Sequence, residues 1–243
     1  MSRKMLTISY IGTNYCGWQV QKNGLSIQEC VCKAFCELYG HDVNVTGCSR
    51  TDSGVHASNY CLHFDDTKNI DNIKIVKALN VYLSDDISAI SCIDVAEDFH
   101  ARYSCKEKTY KYKIYTGERN PFLHNRAFRY YKDIDVKKIN KFAENLLGTH
   151  DFSAFCSSGS SVENKVRTLK EAYASAENGV ITFTFTADGF LYNMVRILSG
   201  TFLAVNEGKI DVNDGLKIIE SKSRELAGNT LPACGLYLDS VKY

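Results

Sequence analysis

The stretch Gly47-Cys48-Ser49-Arg50-Thr51-Asp52-Ser53-Gly54-Val55-His56-Ala57 lies between two strand-like runs, Val43-Asn44-Val45-Thr46 and Tyr60-Cys61-Leu62-His63-Phe64. Two strands joined by this loop form the middle of a longer pattern. Upstream, Leu6-Thr7-Ile8-Ser9-Tyr10 alternates as a strand, and Ser26-Ile27-Gln28-Glu29 carries a capping-box signature. Ile27, Cys30, Val31, Ala34, Phe35 and Leu38 then recur at helical spacing up to Gly40. The spacing predicts strands near 43–49 and 58–64, a helix near 71–82 and a strand over Ile87–Val95. That order is β-α-β-β-α-β, the ferredoxin-like split unit.

The second half repeats the pattern loosely. Thr109–Tyr115 alternates, Val136, Ile139, Phe142, Ala143, Leu146 and Leu147 mark a helix stopped by Gly148, and strands are expected near 167–176 and 180–187. Helices are expected near 190–207 and 211–221, with a last strand over Gly235–Val241. The reading is α+β, with two ferredoxin-like halves, 1–105 and 106–243, joined around a central cleft. With two prolines and no low-complexity linker, nothing separates the halves as independent modules.

Net charge is only +1, but its distribution is uneven. Arg102 to Lys141 holds 12 Lys/Arg and 4 Asp/Glu, a local +8 that leaves −7 elsewhere. Tyr103, Tyr110, Tyr112, Tyr115, Tyr130 and Tyr131 interleave with those charges, which suits phosphate contact and base stacking. The ten cysteines include no C-x-x-C pair and no zinc-ligand spacing, so they read as reduced structural thiols with no metal. No apolar run is long enough for a transmembrane helix, so no membrane association is expected. The opening residues offer no signal-peptide core, which predicts a cytoplasmic protein.

Arg50 and Asp52 stand two apart, so on a continuing strand they share one face, where the guanidinium holds the carboxylate ionised and aimed. The alternative is an Asx-turn, since Asp-Ser-Gly is ordinary turn chemistry. Phe190, Met194, Ile197, Leu198, Phe202 and Val205 form an apolar band on the 190–207 helix, with Asn193, Arg196 and Gly200 on an opposite, polar side. Tyr110 and Tyr112 share a strand face, which predicts buried or sandwiched rings. His56 and His63 lack a Cys or Ser partner at triad spacing and read as structural, bonded to backbone.

The loop resembles the catalytic signature Gly-x-x-Arg-Thr-Asp-x-Gly-Val-His-Ala of the tRNA pseudouridine synthase A (TruA) family. Tyr10-x-Gly12 with Gly17-Trp18-Gln19-x-Gln21, Phe99–Ser104 with Lys108–Tyr112, Gly148–Phe152, Gly189–Arg196 and Pro232-x-x-Gly235-Leu236 are similar to that family's other motifs, in order and almost end to end. Cys105 departs from the small residue usual at its place. The resemblance implies a pseudouridine synthase fold and isomerisation of uridine to pseudouridine at positions 38, 39 and 40 of the tRNA anticodon stem-loop. It implies a homodimer and no cofactor or metal. It makes Asp52 the catalytic residue, and Tyr110 the ring that stacks on the target base. Arg50 then enters the duplex or steers the flipped nucleotide, Arg196 pairs with Asp52, and Leu236 is an apolar wall for the base.

Overall fold

The computed structural model describes residues 2–160 and 162–243. The chain forms two compact units, one extending to Lys106 and taking back Leu238–Tyr243, the other Glu107–Tyr237. The boundary read after residue 105 thus falls one residue later, and the terminal residues assigned to the second half pack with the first.

The first unit follows the expected order: β1 (Ser2–Tyr10), α1 (Ile27–Tyr39), β2 (Thr46–Gly47), β3 (His56–Asp66), α2 (Asn72–Tyr82) and β4 (Ile87–Asp94). β1 pairs antiparallel with β3, from Ser2↔Asp66 to Tyr10↔Ala57, and with β4 on its other side. β2 pairs antiparallel with β3, so the strands lie in the order β4-β1-β3-β2. Ser26 Oγ accepts the Glu29 N–H at 3.2 Å, and Gly40 ends α1 at φ +71°. Core-facing positions of β1 are Lys4, Leu6, Ile8 and Tyr10. Lys4 is tolerated there because Nζ donates to Asn72 Oδ1 at 2.7 Å and Asp94 Oδ1 at 2.8 Å, with Asp66 Oδ2 at 3.8 Å. The strand expected over 43–49 is reduced to the two residues of β2.

The second unit runs through β5 (Glu107–Thr116), β6 (Phe128–Tyr130), α3 (Val136–Glu144), β7 (Gly148–Asp151), β8 (Val166–Glu177), β9 (Val180–Ala187), α4 (Met194–Asn206) and α5 (Gly215–Ser221). Its sheet order is β5-β9-β8-β7, all antiparallel, with β6 added parallel to β5. β6 and β7 come in addition to the expected elements, being too short to show an alternation. The helix read from 190 begins only at Met194, after a turn in which Asn193 sits at φ +59°. The closing strand β10 (Leu236–Lys242) returns to the first unit beside β3, where the Asn59 side chain donates to Asp239 O at 2.9 Å.

Both units are therefore mixed α+β. All ten cysteines are free thiols, with Cys48, Cys61, Cys92 and Cys156 buried as small apolar groups. Among the described residues no helix is long and apolar enough to cross a membrane.

Candidate active site

In the first unit the chain from Cys48 to Val55 leaves β2 and runs as a loop into β3. Strand alternation does not apply to it, so the strand register from which a shared face for Arg50 and Asp52 is expected is absent. Arg50 is exposed and Asp52 half-buried. The turn that forms is a backbone one, not the side-chain turn expected: Val55 N–H donates to Asp52 O at 3.2 Å, Gly54 takes φ +78° at the third turn position, and its N–H goes to Tyr15 O.

What keeps this loop in place is the segment after β1. Trp18 N–H donates to Thr51 O at 3.1 Å, and Gly54 N–H and Ser53 Oγ donate to Tyr15 O at 3.3 and 3.2 Å. Tyr10 and Thr51 share a buried hydroxyl–hydroxyl bond of 2.9 Å. Gly17, at φ +101°, lies so close that a Cβ there would sit 2.3 Å from Thr51 O. A Cβ on Gly12 would meet Val55 O at 1.9 Å. Trp18 stacks on Tyr60 with centroids 4.2 Å apart, and Tyr60 OH donates to Ser49 O. The two N-terminal motifs are thus a bed against which the Arg50–Asp52 loop is pressed, a role that only contacts between residues far apart in sequence reveal.

Tyr15 itself is anchored by its hydroxyl, which donates to Asp86 Oδ1 at 2.5 Å. Burial, and then that carboxylate, push its pKa up to about 12. Both histidines take the structural roles read from the sequence. His56 Nδ1 accepts the Gly12 N–H at 3.0 Å, and His63 Nδ1 accepts the Ala101 N–H at 3.1 Å. Burial, with His100 beside it, brings the His63 pKa down to about 4, so the ring is neutral and an acceptor.

In the second unit Tyr110 and Tyr112 occupy the core-facing register of β5 at 7% and 0% exposure, as their shared face predicts. Tyr110 lies opposite Phe185 on β9, and the Phe190 ring meets it edge-on with centroids 5.1 Å apart. Phe190, expected within a helix, is instead a buttress in the turn before α4. Of the six tyrosines in the basic stretch, 110, 112, 115 and 130 are buried, and only Tyr103 and Tyr131 are exposed. Of the set, those two alone present open rings at the surface.

Arg196 on α4 is half-buried and aimed by two bonds: Nε donates to Leu231 O and an Nη to Asn193 Oδ1, both at 2.7 Å. The polar side expected around it is not a solvent face. Gly200 is buried where segment 228–231 crosses the helix, and a Cβ there would lie 1.8 Å from Asn229 O. Glycine permits a backbone crossing that any side chain would block. Leu236 is buried at the head of β10. Just before it, the Pro232–Gly235 segment wraps Tyr112: Tyr112 OH donates to Pro232 O at 2.7 Å, and a Cβ on Gly235 would meet the Tyr112 ring at 2.9 Å.

A cavity of about 520 Å³ in the second unit, lined by Phe128, Tyr130, Leu203, Glu207, Ile218 and Leu231 among others, includes none of Tyr110, Arg196 and Leu236. Among the described residues no group of three or more His, Cys, Asp or Glu is disposed to hold a metal ion.

A family model described as tRNA pseudouridine synthase matches residues 6–104 and 142–243. The matched segments contain Arg50, Asp52, Arg196 and Leu236, and Tyr110 lies in the stretch between them. The tRNA pseudouridine synthase A of Caldicellulosiruptor saccharolyticus is 45% identical over 244 residues, covering 100% of both chains. That of Clostridium acetobutylicum is 43% identical with the same coverage, and that of Exiguobacterium sibiricum 42% identical over 100% of this chain and 97% of its own. Among solved structures, a chain of a Cbf5-Nop10-Gar1 complex aligns with 97% of this chain and 48% of its own, at 10% identity and a TM-score of 0.41. The loop signature, the bed beneath it and end-to-end likeness at this level agree: the chain belongs to the tRNA pseudouridine synthase A family.

Proposed function

We propose that this protein isomerises uridine to pseudouridine at positions 38, 39 and 40 of the tRNA anticodon stem-loop, with Asp52 as the catalytic carboxylate. The observation that carries the reading is a half-buried Asp on a loop braced by backbone bonds, within a chain 42–45% identical end to end to named members of the family. Isomerisation breaks the C1′–N1 bond and forms C1′–C5. The hydrogen on C5 leaves and N1 gains one, so the step is redox-neutral and needs no co-reactant. A positioned carboxylate serves as the nucleophile or electrostatic partner that such a step requires.

The target base must leave the helical stack first, and exposed Arg50 is assigned to steering the extruded nucleotide. Tyr110 stacks on the base, Leu236 walls it, and Arg196 pairs with Asp52 to keep it ionised. Asn193 and Leu231 restrict the guanidinium's freedom, which favours one fixed partner. The two units correspond to ferredoxin-like halves of a pseudouridine synthase fold, the first carrying Asp52 and the second completing the cleft. We assign the protein a cytoplasmic location, a homodimeric state and tRNA as partner.

The test is Asp52→Asn. Pseudouridine formation in bulk tRNA is expected to disappear while tRNA affinity stays within about threefold of wild type, since the substitution removes charge without volume. Retained turnover ends the assignment.

A further inference from the structure

Between Arg119 and Lys132 the second unit carries four Lys/Arg and no Asp or Glu. Here lie the two most exposed large apolar side chains among the described residues, Phe122 at 91% and Tyr131 at 81%. Neither ring contributes to the core. The backbone presenting them is nonetheless closely held. Gly117 turns the chain out of β5 at φ +88°, and Arg129 Nε donates to Gly117 O at 3.0 Å across the loop's base. Asn120 Oδ1 accepts the Phe122 N–H at 2.9 Å, starting the 3-10 turn Pro121–Leu123 with proline in its first turn. Tyr237 OH donates to Arg126 O at 2.6 Å, tying the far limb to β10. The Arg129 guanidinium lies over the Tyr131 ring, 5.1 Å from its centroid.

An anchored, acid-free basic loop holding an aromatic ring out in water matches what single-stranded or unstacked RNA requires. Bases stack on exposed rings, while arginines neutralise the adjoining phosphates. We propose that the 119–132 loop is an RNA-contacting surface, separate from the residues assigned to chemistry. In it Phe122 stacks on an unstacked base of the bound tRNA, Arg119 and Arg126 engage its phosphates, and the Arg129–Tyr131 pair offers a second platform. The proposal rests on the reading of the protein as a tRNA-modifying enzyme. It adds to that reading a surface lying wholly in the 105–141 stretch, which falls between the matched family segments.

The test measures binding of bulk tRNA at several salt concentrations for wild type, Phe122→Ala, Phe122→Trp and the pair Arg119→Gln/Arg126→Gln. Pseudouridine formation and sedimentation are followed on the same preparations. Phe122→Ala is expected to weaken binding by about 5- to 150-fold, the range for loss of one base–aromatic stack, with an unchanged melting temperature. Phe122→Trp restores it. The arginine pair is expected to flatten the plot of log affinity against log salt by about 0.7 to 0.9 for each phosphate no longer neutralised. Wild-type affinity in Phe122→Ala overturns the proposal, as does an effect confined to the sedimentation coefficient, which would make the loop a contact between copies. The two readings fail separately. A wild type that makes no pseudouridine defeats the functional assignment, whereas an active wild type with a fully binding Phe122→Ala defeats only the loop.

Discussion

Gly17→Ala is the perturbation that most directly tests how the Asp52 loop is held. Two terms act. A φ of +101° strains an L-residue by about 1–3 kcal/mol. The new methyl, built 2.3 Å from Thr51 O, forces that carbonyl back by roughly an ångström, which breaks the Trp18 N–H bond to it and costs about another 1 kcal/mol. The expected destabilisation is about 2–4 kcal/mol. Gly40→Ala supplies the control, because Gly40 has φ +71° but nothing within 4 Å of a built Cβ. There the left-handed penalty acts alone, about 1–2 kcal/mol. The two variants are compared by urea unfolding, and by single-turnover release of tritium from tRNA labelled at uridine C5. An ångström's displacement of a catalytic group can cost about a hundredfold in rate. Gly17→Ala should therefore lose about two orders of magnitude in turnover under conditions where it remains folded, and Gly40→Ala should not. If the two lose the same stability and turn over alike, the bed described for the loop has no functional meaning.

Two further outcomes follow from buried and edge groups. His63 titrates near 4 in the fold against about 6.5 unfolded, so the folded state binds fewer protons in that window. Its contribution is complete above about pH 6.5 and is lost as pH falls towards 4, amounting to about 2 kcal/mol by pH 5. Urea unfolding at pH 7.5 and 5 should show that slope, and His63→Gln should flatten it; equal slopes in both proteins remove His63 as its source. On α2, Asn80 brackets Ala89 of the outermost strand β4, donating to its carbonyl at 2.9 Å and accepting its N–H at 2.7 Å. Asn80→Ala is expected to cost about 1 kcal/mol and to promote association through the uncovered edge, read by concentration-dependent light scattering. A variant as stable and as dispersed as wild type would show the edge to be protected by other means.

Asn140 on α3 does the same for Ala174 of β8, at 3.1 and 2.6 Å. This shared device shows what a linear reading misses. An asparagine on a helix surface looks solvated until a strand edge is folded beside it. Asp52 and Arg196 were legible as candidates because their motifs are short and contiguous. Phe190 as a buttress to Tyr110 was not, since helical spacing from Met194 extended backward to include it.

The order of elements in the first unit, the Ser26 and Gly40 caps and the alternation of β5 were all determined by the sequence itself. Each depends on chemistry within a few residues: side-chain period, a capping hydroxyl, a glycine at positive φ. Tertiary structure alone decided that strand 43–49 shrinks to Thr46–Gly47, that Leu238–Tyr243 rejoin the first unit, and that α4's polar stripe is crossed at Gly200 by 228–231. Those outcomes are set by backbone approaching backbone across dozens of residues. Whether a glycine there is a turn, a cap or a crossing point depends on what the fold brings against it.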